Sequence, residues 1–405
     1  MMPPPDSSVS PSAGASLWTR RQWIGAAFAG LAAAGCSKLE RFSFHRAVAV
    51  RGEIHVLIWA DYLPQEVLDE FQARTGIRPV LHYFSSNDPL PDLLRARAEP
   101  YDLVMPSGFM AQYLRELGLI GAFDRKRLPN VANVDQRTFG SRFDPACDWF
   151  VPYIWGATGI GYNAYRIDGL PKSWSDLFIL QTRVDGEVAG VSVLDDARYA
   201  LGNVLIYHGL TPATATEADV ERAGEVLYQL RDRIAFFESD RVAELLATGR
   251  VDLAMAWSGD VTRAMEGDPD GRFAPNLNIR ISLPREGSIL FKDGFCLPTA
   301  ATNRAEAEEF VNYLLEPEVA AVVTNYSLFA TTIPTARPMI DRRILNGPSY
   351  FLHPSGEKKN VTLEDARVSE EVYDRVWKQV KAGSSPVTPS ITVPVAPTTL
   401  TPASS

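Results

Sequence analysis

An α/β body is the fold class this sequence predicts, and two observations predict it. Short apolar runs suited to buried strands alternate with stretches of helical periodicity, and glycines and prolines punctuate the switches between them. Ile54-His55-Val56-Leu57-Ile58 is the first strand candidate. Pro64 then opens a segment in which Val67, Leu68 and Phe71 share one helical face, and Gly76 stands where a C-cap belongs. Ile77-Arg78-Pro79-Val80-Leu81 reads as a second strand, and Tyr101-Asp102-Leu103-Val104-Met105-Pro106 ends a third. Strand-helix-strand alternation of this kind predicts a mostly parallel sheet with helices on its faces. Later, Asn303 and Glu306 have capping-box spacing ahead of an apolar stripe of Ala307, Phe310, Val311 and Leu314, with Pro317 just beyond.

Bulk properties narrow the function. A chain of 405 residues, 46% of them hydrophobic, is long enough for two domains or lobes. Its formal net charge is −9; removing the +1 carried before Cys36 by Arg20, Arg21 and Asp6 leaves −10. That balance argues against nucleic acid, whose phosphates demand clustered Lys and Arg, and is compatible with a cationic ligand. The sequence has no P-loop, no CxxC and no HExxH, and its five histidines (His45, His55, His82, His208, His353) lack metal-ligand spacing. No cofactor or metal is therefore expected. A hydrolase built on Cys296 lacks a histidine in any catalytic motif, so the expectation is a non-enzymatic protein.

The ends carry address and tail. Arg20-Arg21 precede a small-residue apolar run too short to span a bilayer, which makes residues 1–35 an export signal similar to the twin-arginine type. Leu31-Ala32-Ala33-Ala34-Gly35-Cys36 resembles a bacterial lipoprotein cleavage box, and the resemblance implies a lipid on Cys36, with residues 36–52 as a tether and the protein held at a membrane on the periplasmic side. Residues 384–405, all Pro, Thr, Ser and apolar residues without charge, have no core-forming period and read as a disordered tail. Cys147 and Cys296 remain; in an exported protein they form one disulfide or two buried thiols, and the thiol reading is preferred.

Aromatic and acidic residues recur beside strand ends: Trp59-Ala60-Asp61-Tyr62, Ser107-Gly108-Phe109, Asp195-Asp196-Ala197-Arg198-Tyr199, Trp257-Ser258-Gly259-Asp260 and Phe291-Lys292-Asp293. In open α/β sheets ligands bind outside the carboxyl ends of strands, so these clusters can converge on one cleft. A flexible ammonium-bearing chain needs apolar walls for its methylenes, π-faces for its charge and carboxylates for its N–H donors. Each cluster alone has a plainer account: a Trp or Phe there is commonly core, and an Asp after a strand commonly caps a turn or helix.

Several stretches together resemble the periplasmic polyamine-binding proteins of ATP-driven importers, especially the putrescine-binding branch. They are Ile58-Trp59-Ala60-Asp61-Tyr62, Tyr101 to Ser107, Pro152 to Asn163, Ala256 to Val261 and Val311 to Pro317, and the likeness spans roughly residues 53–383. It implies a two-lobed periplasmic-binding-protein fold of type II, with lobe 1 formed by 53–158 and 294–338, lobe 2 by 159–293 and 339–383, and crossings near Gly159 to Tyr162 and Gly294 to Leu297. It also implies a hinge that closes on the ligand and presents the closed form to permease subunits in the inner membrane, with a monomer as the working unit. Carried over by motif, Trp59 and Tyr62 line one wall beside Ser107 and Phe109, and Trp257 stacks on the alkyl chain. Asp260 holds one amine end, Asp293 the other, Phe291 lies beside it and Asp61 assists. Asp196 matches a ligand aspartate of the spermidine branch, while Asp195 matches the putrescine branch better.

The departures concern selectivity. Tyr199 stands where both branches carry a glutamate, Phe109 where the spermidine branch has a tyrosine, and Phe329 where the putrescine branch has one. An ammonium left without a carboxylate is costly, so the choice of amine is expected to differ. Two alternatives stay open: another organic cation or an amino acid bound by the same fold, and a polyamine-sensing subunit instead of a transport subunit.

Overall fold

The computed structural model describes residues 51–96, 100–136, 143–179, 183–347, 360–364 and 368–386. The chain divides into two units at Arg46/Ala47, and every described residue lies in the second. The segment expected to be an export signal, Cys36, nearly all of the expected tether and the residues beyond Pro386 lie outside the described residues.

Strand β1 (Gly52–Trp59) is followed by the helix Gln65–Thr75, β2 (Ile77–Phe84) and β3 (Leu103–Val104). Gly76 closes the helix as expected: its φ of 78° is one that L-residues avoid, and its N–H donates to the Gln72 carbonyl. Val67, Leu68 and Phe71 are buried, and the Phe71 ring meets Phe310 at 4.8 Å and Tyr313 at 5.3 Å on the helix Arg304–Leu314. β1 pairs in parallel with β2 on one side and β3 on the other.

After β4 (Ile120–Gly121) comes β5 (Val151–Asn163), thirteen residues buried throughout. β5 leads to a second parallel set, β6 (Val191–Val193), β7 (Ile234–Phe237) and β8 (Leu253–Trp257), in which β6 pairs with both β7 and β8. β9 (Ile279–Ser282) follows, and β10 (Leu290–Phe295) runs back along β5. β11 (Leu297–Pro298) then rejoins β4, with Cys296 bridged to Val104, and β12 (Ala330–Thr331) adds to β5.

A mostly parallel sheet describes only the two outer sets. β5 is antiparallel to β8, β9, β10 and β12, because one long strand carries the chain from the first parallel set to the second and β10 carries it back. Its first half pairs with β10 and β12, its second half with β8 and β9.

One local expectation is corrected. Asn303 makes no side-chain cap on its helix; its amide donates to Asp102 at 3.2 Å and its backbone N–H to the same carboxylate at 2.8 Å. Asp102, fully buried, also accepts from the His55 N–H, and a buried carboxylate outcompetes the reciprocal cap by gathering several donors. Cys147 and Cys296 are buried free thiols.

Candidate ligand-binding site

A cavity of about 70 Å³ lies at the carboxyl ends of both parallel sets. Trp59 ends β1, Ser85 follows β2, Ser107 follows β3, Ser239 and Asp240 follow β7, and Trp257 ends β8; all line it. This is the crevice position that parallel α/β topology provides, realised here by two sheets facing one space.

The sequence around each side chain accounts for its aim. On β10, side chains alternate between faces: Phe291 and Asp293 point into the cavity, while Lys292 between them turns away to pair with Glu364 at 2.9 Å. β8 passes directly into the helix Ser258–Glu266, so Trp257 and Asp260, the latter in the first turn, project at the same mouth. Two glycines allow close approach of the rings. A Cβ on Gly259 would sit 2.5 Å from the Phe329 ring, and one on Gly156 2.7 Å from that of Phe291.

The walls are aromatic and contiguous. Tyr199 meets Trp257 edge-on at 4.4 Å, Trp257 meets Phe291 at 5.1 Å, Phe291 meets Phe329 at 5.7 Å and Phe329 meets Tyr62 at 5.5 Å. Within them stand two carboxylates of different character. Asp293, 3% exposed, accepts from the Tyr62 hydroxyl at 2.6 Å and the Ser107 hydroxyl at 2.7 Å, and Asn87 in turn holds Ser107. Burial pushes its carboxyl up to about 6 despite those two hydrogen bonds. Asp260 receives no hydrogen bond from any described residue. Burial pushes it up to about 7, with Arg263 opposing the rise and Asp61 and Asp240 adding to it. The Trp59 indole N–H is buried without an acceptor among the described residues.

Asp61 lines the rim with φ 59°, a turn conformation that Asp tolerates. Its carboxylate is already engaged, by Arg272 at 2.5 Å and Arg263 at 3.9 Å, and both arginines also pair with Asp268. Arg263 therefore lines the cavity as a neutralised cation.

Of the eleven residues proposed from sequence, Trp59, Asp61, Tyr62, Ser107, Tyr199, Trp257, Asp260, Phe291 and Asp293 line the cavity. Phe109 and Asp196 stand behind it. The Phe109 ring packs 6.1 Å from Tyr199, and Asp196 caps the helix Ala197–Tyr207 by accepting from the backbone N–H groups of Arg198 and Tyr199. Asp195 pairs with Lys381 at 2.7 Å and accepts from Trp377 at 2.9 Å, away from the aromatic cavity. Sequence reasoning missed Ser85, Ser239, Asp240 and Arg263. The serines and Asp240 follow β2 and β7, so the strand-end rule would have found them had it not also required an aromatic; Arg263 is three residues beyond Asp260 on one helix face.

Comparison with known proteins agrees with this architecture. Residues 66–341 match the family described as bacterial extracellular solute-binding protein. The chain is 30% identical over 342 residues to the putrescine-binding periplasmic protein PotF of Escherichia coli (strain K12), covering 82% of this chain and 91% of that one. It is 31% identical over 330 residues to the spermidine/putrescine-binding periplasmic protein of Salmonella typhimurium, covering 80% and 90%. Among solved structures, the spermidine/putrescine ABC transporter substrate-binding protein PotD of Streptococcus pneumoniae superposes with TM-score 0.65 at 23% identity, covering 82% of this chain and 99% of that one. The Tp0655 (TpPotD) lipoprotein of Treponema pallidum does so with TM-score 0.67 at 23% identity, covering 81% and 99%. The fold is the two-lobed periplasmic-binding-protein fold of type II, and the chain belongs to the bacterial extracellular solute-binding protein family.

Proposed function

We propose that this chain is the substrate-binding component of an ABC importer and captures a polyamine of the putrescine or spermidine type. The observation that carries the reading is Asp260: a carboxylate inside an aromatic cavity, raised to about 7 and without a donor from any described residue. A buried carboxylate in that state gains most from a cation that brings its own N–H donors, and the surrounding rings suit an ammonium and its methylenes. Asp293 then takes the second ammonium, with Tyr62 and Ser107 fixing its orientation. The curated relatives named for putrescine and spermidine support the same ligand class.

The segments 53–158 with 294–338 and 159–293 with 339–383 form the two lobes, and ligand binding closes the hinge made by β5 and β10. The protein works in the periplasm as a monomer, exported by the twin-arginine-like signal, anchored through lipid on Cys36 and docking on the permease subunits. It binds its ligand without chemical turnover.

Calorimetric titration of the mature chain, refolded free of carried-over ligand, against putrescine, cadaverine, spermidine, spermine and agmatine tests the reading. Saturable one-to-one binding of one of them is expected; silence from a folded protein overturns it. A second reading, an amino acid or another amine that also bears an acceptor, is favoured by the Trp59 indole N–H, which has no acceptor among the described residues, since an ammonium offers that donor nothing. γ-Aminobutyrate and ornithine in the same panel decide between the two.

A further inference from the structure

A second cavity, of about 150 Å³, adjoins the aromatic one, and Ser85, Ser239 and Asp240 line both. Its character is different. Trp377 and Phe237 are its aromatic members, and its other walls are polar and mostly acidic: Asp88, Asp195, Glu238 and Asp240, against the single cation Lys381. Two of these carboxylates are engaged, Asp195 by Lys381 at 2.7 Å and Glu238 by Arg241 at 3.1 Å. The other two are not. The backbone N–H of Asp240 donates to Glu238 at 3.0 Å, but its carboxylate, on an exposed residue, has no hydrogen-bond or ion-pair partner among the described residues, and partial burial, then Glu238, Asp61 and Asp195, push it up. Asp88 keeps one carboxylate oxygen buried without a donor among the described residues, and the Ser239 hydroxyl oxygen, on the wall common to both cavities, is buried without a partner among them as well.

The charge balance of the aromatic cavity gives this arrangement its meaning. Asp260 and Asp293 match two ammonium groups, and Tyr199, buried and edge-on to Trp257, supplies no third carboxylate there. A longer amine needs its additional charge met elsewhere, because a buried ammonium without an anion is strongly disfavoured.

Resting on the polyamine reading, we propose that the bound amine extends between Ser85 and Ser239 into the second cavity. The site then takes a linear triamine in preference to a diamine, with Asp240 and Asp88 meeting the third ammonium. The third charge also relieves the mutual repulsion of the second cavity's four carboxylates, which Lys381 on the same wall offsets only in part.

Calorimetric titration of the full mature chain with putrescine, spermidine and a spermidine acetylated on one terminal nitrogen tests this. Spermidine is expected to bind about tenfold tighter than putrescine, and the acetylated triamine, equal in length but one charge poorer, to fall back to the putrescine value. Asp88→Asn, at a residue that lines the second cavity and not the aromatic one, is expected to lower spermidine affinity several-fold and leave putrescine within about twofold. Asp240→Asn is expected to weaken spermidine at least about fivefold more than putrescine. Putrescine binding as tightly as spermidine, or Asp88→Asn and Asp240→Asn each weakening both amines equally, overturns the extension while leaving the polyamine reading standing. Binding of neither amine to folded protein overturns the polyamine reading itself.

Discussion

The two ends of the aromatic cavity hold their carboxylates in opposite ways. At the β10 end, Asp293 is tied to Tyr62 and Ser107, and Ser107 to Asn87, so the anion is oriented before a ligand arrives. At the β8 end, Asp260 sits in the first turn of its helix with a guanidinium nearby and no donor from any described residue. One end is preorganised and the other is held in an unfavourable state that only a cation relieves. Preorganisation lowers the cost of orienting the ligand, whereas the donor-poor end makes binding conditional on positive charge.

The largest effect expected from breaking this contrast is at the donor-poor end. Asp260→Asn should weaken amine binding by about a hundredfold or more, since the ammonium loses its buried counter-charge. The same variant should raise the melting temperature of the ligand-free protein, by roughly 2–4 °C for each kcal/mol of carboxylate desolvation removed. Asp61→Asn should cost binding far less, because Asp61 already spends its charge on Arg263 and Arg272. Calorimetry and thermal melts of the two variants side by side measure this; equal losses in binding would dissolve the distinction between wall and rim.

Next in size is the dependence on pH. Asp260 and Asp293 have native values of about 7 and about 6, above an unfolded value of about 4, so between those limits the native state holds more protons than the unfolded one. Their contribution to the stability of the ligand-free protein is therefore favourable at low pH and is lost as pH rises through 6 and 7. A bound cation requires both groups ionised, so affinity should run the other way. It should fall about tenfold per pH unit below pH 7 and more steeply below pH 6, with protons released on binding. Titrations at pH 5 to 8 in buffers of different ionisation heat read both slope and proton count, and a flat profile would mean that neither carboxylate meets the ligand's charge.

The preorganised end should yield a smaller change. Tyr62→Phe removes one of the two donors to Asp293 while keeping the ring against Phe329. Binding should weaken by about three- to tenfold, and the lower inflection of the pH profile should move upward as Asp293 loses a hydrogen bond to its charged form. An unchanged profile would show that Ser107 alone orients that carboxylate.

What the sequence disclosed, and what it hid, follows from how each side chain is marked. Trp59, Trp257, Asp260 and Asp293 were legible because large aromatics and acids beside strand ends are conspicuous, and parallel topology gathers strand ends. The passage of the chain between two parallel sets along one strand was not visible in β5's composition, since a strand buried on both faces reads as a plain apolar run whichever way its neighbours run. Ser85 and Ser239 were hidden because a serine after a strand is an ordinary turn residue until the cavity behind it is known. Arg263 was hidden by its sign, being a cation in the wall of a site sought for cations, and its pairing with Asp268 and Asp61, together with the carbonyls of Asp61, Tyr326 and Ser327 that accept from it, explains its presence.

Asp196 is where the two accounts of one residue can be separated most cleanly. Motif resemblance makes it a ligand carboxylate; the structure gives its oxygen to the N–H groups of Arg198 and Tyr199 at 3.1 Å each, as the cap of the helix that carries Tyr199. Asn caps a helix as well as Asp does, and Ala does not. Asp196→Ala should therefore lower stability by about 1 kcal/mol, while Asp196→Asn should hold it level or raise it, because burial and the neighbouring Asp88 already push the carboxyl up. Amine affinity of the Asn variant should stay within about threefold of the parent, small beside the loss at Asp260. A hundredfold loss in the Asn variant, with its melting temperature intact, would instead make Asp196 a third ligand carboxylate and move the boundary of the site one helical turn deeper.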